Sequence, residues 1–182
     1  SAGKTGAAIL AAKGAMRSGA GLVSLAVPHD LDPVFETALI EAMTISLPAS
    51  RQKLCVDDWD TIVEIASTMQ AVVIGPGIGT AVETAELVLQ AYHTLPCPLV
   101  IDADALNILA ANIDTVGQAA GPRIFTPHPG ELSRLLAIST ADIQNNRIEA
   151  AREGRSLFSN SLHESVLVLK GAGTIIAQND GS

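Results

Sequence analysis

Leu99-Val100-Ile101-Asp102-Ala103-Asp104-Ala105-Leu106-Asn107 is the stretch from which the rest of the chain can be read. Its apolar opening is too short for a helix, follows Pro96 and Pro98, and reads as a buried strand over residues 99–102. Two carboxylates stand where that strand ends, and residues 105–111 continue as a helix. The same grammar recurs twice. Arg123-Ile124-Phe125 runs into Thr126-Pro127-His128-Pro129-Gly130-Glu131, and Val166-Leu167-Val168-Leu169 runs into Lys170-Gly171-Ala172-Gly173-Thr174. In open α/β sheets ligands lie outside the carboxyl ends of the strands. Three such ends predict one shared site.

Outward from these units the alternation continues. Residues 6–17 carry a helix pattern ended by Ser18-Gly19, and residues 21–27 alternate as a strand stopped by Pro28. A short helix over 30–38, a strand over 43–47, an amphipathic helix over 57–68 and a buried strand over 71–74 follow. Gly75-Pro76-Gly77-Ile78-Gly79 turns the chain, and Thr80 with Glu83 has the spacing of a capping box for a helix reaching His93. Pro129 suits the first position of a helix to Leu136, and one long helix is expected over 140–159. Strands at 166–169 and 174–177 are joined too closely for a crossover, so that pair is expected to be antiparallel. The whole predicts an α/β fold with a mostly parallel central sheet and helices on both faces.

The 182 residues fit a single domain. Hydrophobic residues make up 48 % of the chain and aromatic ones only 3 %, so alanine and β-branched side chains must do most of the packing. A net charge of −8 without a basic run argues against nucleic acid and anionic membranes as partners, though a local nest of N–H groups can still take a phosphate. Cys55 and Cys97 form no Cys-x-x-Cys pair and read as reduced thiols of a cytoplasmic protein. No apolar run reaches membrane-spanning length, and no signal peptide is visible.

The candidate chemistry is concentrated in the turns. The 75–79 turn resembles a phosphate-binding turn or is a tight strand-to-helix turn that needs glycine; its third glycine falls one residue early for the dinucleotide fingerprint. Asp102 and Asp104 could share one side of an extended chain, holding a metal or orienting a hydroxyl. Asp104 is read as a helix cap, and Asp102 as the better site residue. His128 sits near an N-cap, where the helix dipole disfavours imidazolium; it is either a cap or a neutral hydrogen-bonding group facing a ligand. Glu131 lies in the first turn, as a complement to the dipole or a weak metal ligand. Lys170, Gly171, Ala172, Gly173 and Thr174 form either a phosphate nest or a glycine hairpin with a solvated lysine. They are not a Walker A loop, which needs Gly-Lys followed directly by Ser or Thr.

Together with Gly6-Ala7-Ala8-Ile9-Leu10, Arg17-Ser18-Gly19-Ala20-Gly21-Leu22 and Val73-Ile74-Gly75-Pro76-Gly77-Ile78-Gly79, these segments resemble the ADP- or ATP-dependent NAD(P)H-hydrate dehydratase family of the ribokinase-like superfamily. The likeness covers nearly the whole chain in family order. His128-Pro129-Gly130-Glu131 stands where sugar and vitamin kinases of the superfamily show Asn-x-x-Glu, which favours the dehydratase branch. The resemblance implies a three-layer ribokinase-like fold and a lyase that repairs hydrated NADH or NADPH. The ring hydroxyl is phosphorylated from ADP or ATP with Mg²⁺, and phosphate then leaves. It implies that Ala7, Gly77 and His128 contact the hydrated dinucleotide; the strand-end reading adds Asp102 to the substrate site, as the floor between the 126–131 and 170–174 segments. It implies that Lys170, Gly171, Ala172, Gly173 and Thr174 hold the nucleotide, and that the protein is a homo-oligomer, often a tetramer.

The family also shows a Gly-x-Gly-Asp motif whose Asp is the expected base, and a strand with a glycine-rich turn ahead of the position of Ser1. This chain closes on Asn179-Asp180-Gly181-Ser182, so it is expected to be incomplete at both ends and inactive by itself. Two alternatives stand beside the lyase: a small-molecule kinase of the same superfamily, acting on a vitamin or sugar, and a domain that only binds nucleotide or partners.

Overall fold

A computed structural model describes residues 1–116, 119–159 and 163–178. The closing tetrapeptide, on which the expectation about the chain end rests, lies outside the described residues.

The chain runs α1 (Thr5–Arg17), β1 (Ser24–Pro28), α2 (Asp32–Ala38), β2 (Met43–Leu47), α3 (Trp59–Ser67), β3 (Val72–Ile74), α4 (Val82–Thr94) and β4 (Leu99–Ile101). It continues as α5 (Asp104–Ala111), β5 (Arg123–Phe125), α6 (Pro129–Leu136), α7 (Thr140–Asn145), α8 (Arg147–Ser156), β6 (Ser165–Leu169) and β7 (Ile175–Ala177). The strands form two sheets. β1 and β2 pair in parallel; β3-β4-β5-β6-β7 make a five-stranded sheet in chain order, parallel except for β7, which is antiparallel to β6 as its short connection demands.

Register explains the core. Leu99, Ile101, Phe125, Leu167 and Leu169 point to one face and are at most 1 % exposed. They pack against Val88 and Tyr92 of α4, Leu106 and Leu109 of α5, Leu132 of α6, Ile143 of α7 and Ala151 of α8. Trp59 and Ala66 of α3 join the same face through Val72 and Ile74. The other face carries Val73, Val100, Ile124, Val166, Val168 and Ile176 in matching register; Val73 and Ile176 are more than half exposed. Among the described residues the helices that follow α2 pack against the first of these faces. Ordered strands joined by crossovers of a single hand place successive helices on the same side. α1, β1 and α2 have a core of their own around Val27, Phe35 and Leu39.

Two local expectations fail for identifiable reasons. Thr80 makes no capping box: α4 starts at Val82 without a side-chain cap, and Glu83 is drawn instead to Lys53 at 2.8 Å. The expected helix over 140–159 is two helices, broken at Asn146 (φ −142°, ψ 63°). Asn145-Asn146 was the available signal, since asparagine competes with the helix by bonding its own backbone.

Candidate active site at the strand ends

Ladder-type hydrogen bonds continue past the strands and fix the residues that follow them. Asp102 N–H donates to the Ile74 carbonyl (3.1 Å), Thr126 N–H to that of Ile101 (3.1 Å), and Lys170 N–H to that of Pro127 (2.8 Å). The chemistry-bearing residues after β4, β5 and β6 thus stand on one rim of the sheet.

Four of the expected site residues meet there. Lys170 Nζ lies 2.6 Å from Asp102 Oδ1 and 3.9 Å from Glu131 Oε2. Glu131 is nearly buried, with a side chain 7 % exposed, and its Oε2 also accepts the His128 backbone N–H at 2.8 Å. His128 is the N-cap of α6: its Nδ1 accepts the N–H groups of Gly130 (2.9 Å) and Glu131 (3.3 Å), completing a reciprocal capping box. A nitrogen that accepts two N–H bonds carries no proton, so the imidazole is neutral with its hydrogen on Nε2, 3.4 Å from Glu131 Oε1. The capping reading of His128 holds: one ring edge caps the helix, while the ring itself is half-exposed with Nε2 on the Glu131 side. Gly130 makes room for that ring, since a methyl there would meet His128 Cε1 at 2.9 Å.

Asp104 takes a different path from Asp102. Ala103 adopts φ +50°, ψ −119°, which breaks the extended chain that would have put both carboxylates on one side. Asp104 is the first residue of α5, with Ala103 in the cap position and no side-chain cap. Its carboxylate instead accepts the Gly79 N–H at 2.9 Å and pairs with Lys4 at 3.1 Å, tying the 75–79 turn to the approach of α1. Ala7 and Gly77 meet beside this tie: a methyl on Gly77 would lie 3.2 Å from Ala7 Cβ and 2.3 Å from the Lys4 carbonyl. Two of the three residues expected to contact the dinucleotide are thus neighbours, beside Lys4, which sequence reasoning missed, and Asp104, which it read only as a helix cap.

The 170–174 turn is the hairpin that joins β6 and β7. Thr174 Oγ1 donates to the Gly171 carbonyl at 3.2 Å. The N–H groups of Gly171, Ala172, Gly173 and Thr174 find no acceptor among the described residues. Free amides at consecutive positions are what an anion nest requires. The lysine ammonium turns to Asp102 and Glu131, with its side chain still partly exposed.

A mostly parallel sheet with carboxylates, a histidine and a glycine turn on its carboxyl rim is an α/β architecture that solved proteins of the ribokinase-like type share. A ribokinase-like superfamily protein from Enterococcus faecalis matches 95 % of this chain and 55 % of its own with a TM-score of 0.73; at 20 % identity the likeness is of fold. A family profile described as NAD(P)H-hydrate dehydratase matches residues 1–182, and the chain belongs to that family. A crystal structure of the Bacillus subtilis ADP/ATP-dependent NAD(P)H-hydrate dehydratase, co-crystallised with ATP and Mg²⁺ and soaked with coenzyme A, matches with a TM-score of 0.74 and 31 % identity. That match covers all of this chain and 60 % of that one. The bifunctional NAD(P)H-hydrate repair enzyme Nnr of Moorella thermoacetica is 40 % identical over the whole chain, which spans 33 % of that protein. The ADP-dependent (S)-NAD(P)H-hydrate dehydratase of Bacillus subtilis is 33 % identical over 97 % of this chain and 57 % of its own length. The chain therefore spans between 29 % and 60 % of the length of relatives such as these.

Proposed function

We propose that the protein containing this chain removes water from hydrated NADH or NADPH at the expense of ADP or ATP. The observation that carries this reading is the meeting of Asp102, Glu131, His128 and Lys170 on one rim, beside a turn with free amides, in a chain of this family. Residues 1–182 belong to one ribokinase-like domain. Ala7, Gly77 and the Nε2–H of His128 contact the hydrated dinucleotide, and Asp102 forms the floor. Gly171, Ala172, Gly173 and Thr174 receive the nucleotide phosphates through their N–H groups, with the Lys170 ammonium beside them.

The terminal P–O bond of ADP or ATP breaks, leaving AMP or ADP, as the phosphoryl group passes to the ring hydroxyl, whose proton is given up to solvent. The C–O bond to phosphate then breaks as a neighbouring C–H proton is lost, which restores the double bond and releases phosphate. Phosphoryl transfer asks mainly for positioning and charge stabilisation, and this rim offers both. Mg²⁺ would draw its oxygen ligands chiefly from the phosphates and water, with Glu131 as the carboxylate this rim would add; among the described residues no three His, Cys, Asp or Glu side chains cluster as a metal site, and Asp102 and Glu131 face the Lys170 ammonium. When bound, it would neutralise charge on the transferred phosphoryl group. The protein is further proposed to be a cytoplasmic homo-oligomer, most simply a tetramer. Among the described residues both cysteines are free and no helix is long and apolar enough to cross a membrane.

The test is product analysis on the full-length protein with NADH hydrate and ADP or ATP. Return of NADH absorbance with one phosphate released per turnover is expected. A stable phosphorylated product would transfer the site to the kinase reading. Sedimentation velocity tests the assembly, and a monomer would refute that part.

A further inference from the structure

Arg147 opens α8, just past the Asn146 break, and lies beneath the 170–174 turn. Its Nη2 is 3.4 Å from the Leu169 carbonyl, 3.4 Å from that of Lys170 and 3.2 Å from that of Gly173, while Nη1 donates to Gln144 Oε1 at 3.0 Å. Its Nε is buried without a hydrogen-bond partner among the described residues. The fit is close from the other side as well. Gly171 has φ +141°, and a methyl there would approach the guanidinium to 3.1 Å.

We propose that Arg147 is a positioning residue for nucleotide binding, holding the Leu169, Lys170 and Gly173 carbonyls inward so that the turn directs its N–H groups at the phosphates. The proposal rests on the reading of that turn as the nucleotide site and adds the residue that makes it anion-receptive. A hairpin this short exposes carbonyls as readily as amides, and a carbonyl dipole facing a phosphate repels it. Here the carbonyls of Leu169, Lys170 and Gly173 share one guanidinium nitrogen, and that of Gly171 is taken by Thr174 Oγ1. The amides of Gly171, Ala172, Gly173 and Thr174 are left for a ligand. A guanidinium is always charged, so the turn also has a fixed positive charge behind it. The break at Asn146 acquires a purpose: a continuous helix over 140–159 would give Arg147 a different direction.

The experiment measures ADP dissociation constants by calorimetry, and KM values for ADP and hydrate, on full-length wild type, Arg147→Met, Arg147→Lys and Gly173→Asp. Arg147→Met is expected to raise the ADP dissociation constant and KM at least tenfold, with hydrate KM within twofold of wild type. Arg147→Lys keeps the charge but cannot span the carbonyls, so it recovers only part of the affinity. Equal losses for ADP and hydrate, or unchanged ADP affinity in Arg147→Met, overturn the proposal. If Arg147→Met is unfolded by circular dichroism, Arg147→Lys carries the test: a rise of threefold or more supports the role, and an unchanged value refutes it. Gly173→Asp sets a carboxylate on the turn, where a side chain meets nothing within 4 Å. If it leaves ADP affinity intact, the nucleotide reading of the turn has failed; if it weakens ADP while Arg147→Met does not, only the role of Arg147 has failed.

Discussion

Gly75→Ala is the substitution for which the structure gives the sharpest expectation. Gly75 has φ +127°, and a Cβ built there would lie 1.7 Å from the Asp102 carbonyl oxygen and 2.8 Å from its carbon. The contact is with backbone, so it cannot be relieved by turning a side chain; the two segments must part by more than an ångström. The oxygen concerned accepts the Ala105 N–H (3.1 Å) at the start of α5, and the Asp102 N–H donates to Ile74 in the strand just before Gly75. Parting them strains or breaks both bonds. Placing alanine in the left-handed region costs about 1–2 kcal/mol, a lost backbone bond about 1 kcal/mol, and residual crowding about 1–3 kcal/mol. The sum, about 3–6 kcal/mol, corresponds to a fall of about 1.5–3 M in the urea midpoint for a slope of about 2 kcal/mol per molar. Trp59, the single tryptophan, reports the transition by fluorescence. Function should suffer beyond stability, because Asp102 is carried off its 2.6 Å contact with Lys170. Gly121→Ala is the control. Its Cβ would meet the Pro96 carbonyl at 2.2 Å, next to the starts of β4 and β5 rather than their ends, so it should destabilise while leaving hydrate KM unchanged. A Gly75→Ala protein with a midpoint within ~0.3 M of wild type and normal hydrate KM would refute the assigned contact and the part it gives Asp102.

Three further expectations test the frame around the site. Tyr92 is the single tyrosine, and burial raises its phenol above the usual 10.0. Protonated Tyr92 therefore contributes stability that is whole below pH 10.0 and lost as pH rises toward the folded value; phenolate absorbance should appear at higher pH in the folded than in the urea-unfolded protein, and Tyr92→Phe should flatten alkaline unfolding. Arg123 is 2 % exposed and donates to the carbonyls of Tyr92 (2.6 Å), Leu95 (2.8 Å), Pro122 (3.0 Å) and Cys97 (3.2 Å). Arg123→Met strips the carboxyl end of α4 of its donors and should cost about 2–4 kcal/mol by urea unfolding, with nucleotide and hydrate affinities unchanged. Gly14 lies in α1 with open space around it, so Gly14→Ala should raise stability by about 0.5–1 kcal/mol in the same assay.

What could be read from the residues, and what could not, divides on where each role originates. The strand ends were legible because short apolar runs, prolines and glycines mark them locally, and parallel pairing then brings Asp102 and Lys170 together across 68 positions of chain. The local geometry that sequence reasoning left open turns on single torsions and hydrogen bonds with no signal in the residue concerned. One torsion at Ala103 sends Asp102 to Lys170 and Asp104 to Gly79, and alanine gives no warning of a positive φ. Two backbone donors on Nδ1 fix the His128 tautomer, which the N-cap position alone anticipated only as neutral. Arg147, Lys4 and Lys53 went unnoticed for a common reason: each acts on a turn or helix start distant in sequence, and nothing in its own neighbourhood records that. The Asn145-Asn146 pair is the instructive case. Its weak helix propensity was visible, but the reason to break a helix there lies more than twenty residues away, in the carbonyls of the turn that Arg147 reaches. If that reason is right, Asn146→Ala, which favours a continuous helix, should weaken ADP binding in parallel with Arg147→Lys while raising helix content by circular dichroism. A gain in helix with unchanged ADP affinity would separate the break from the site.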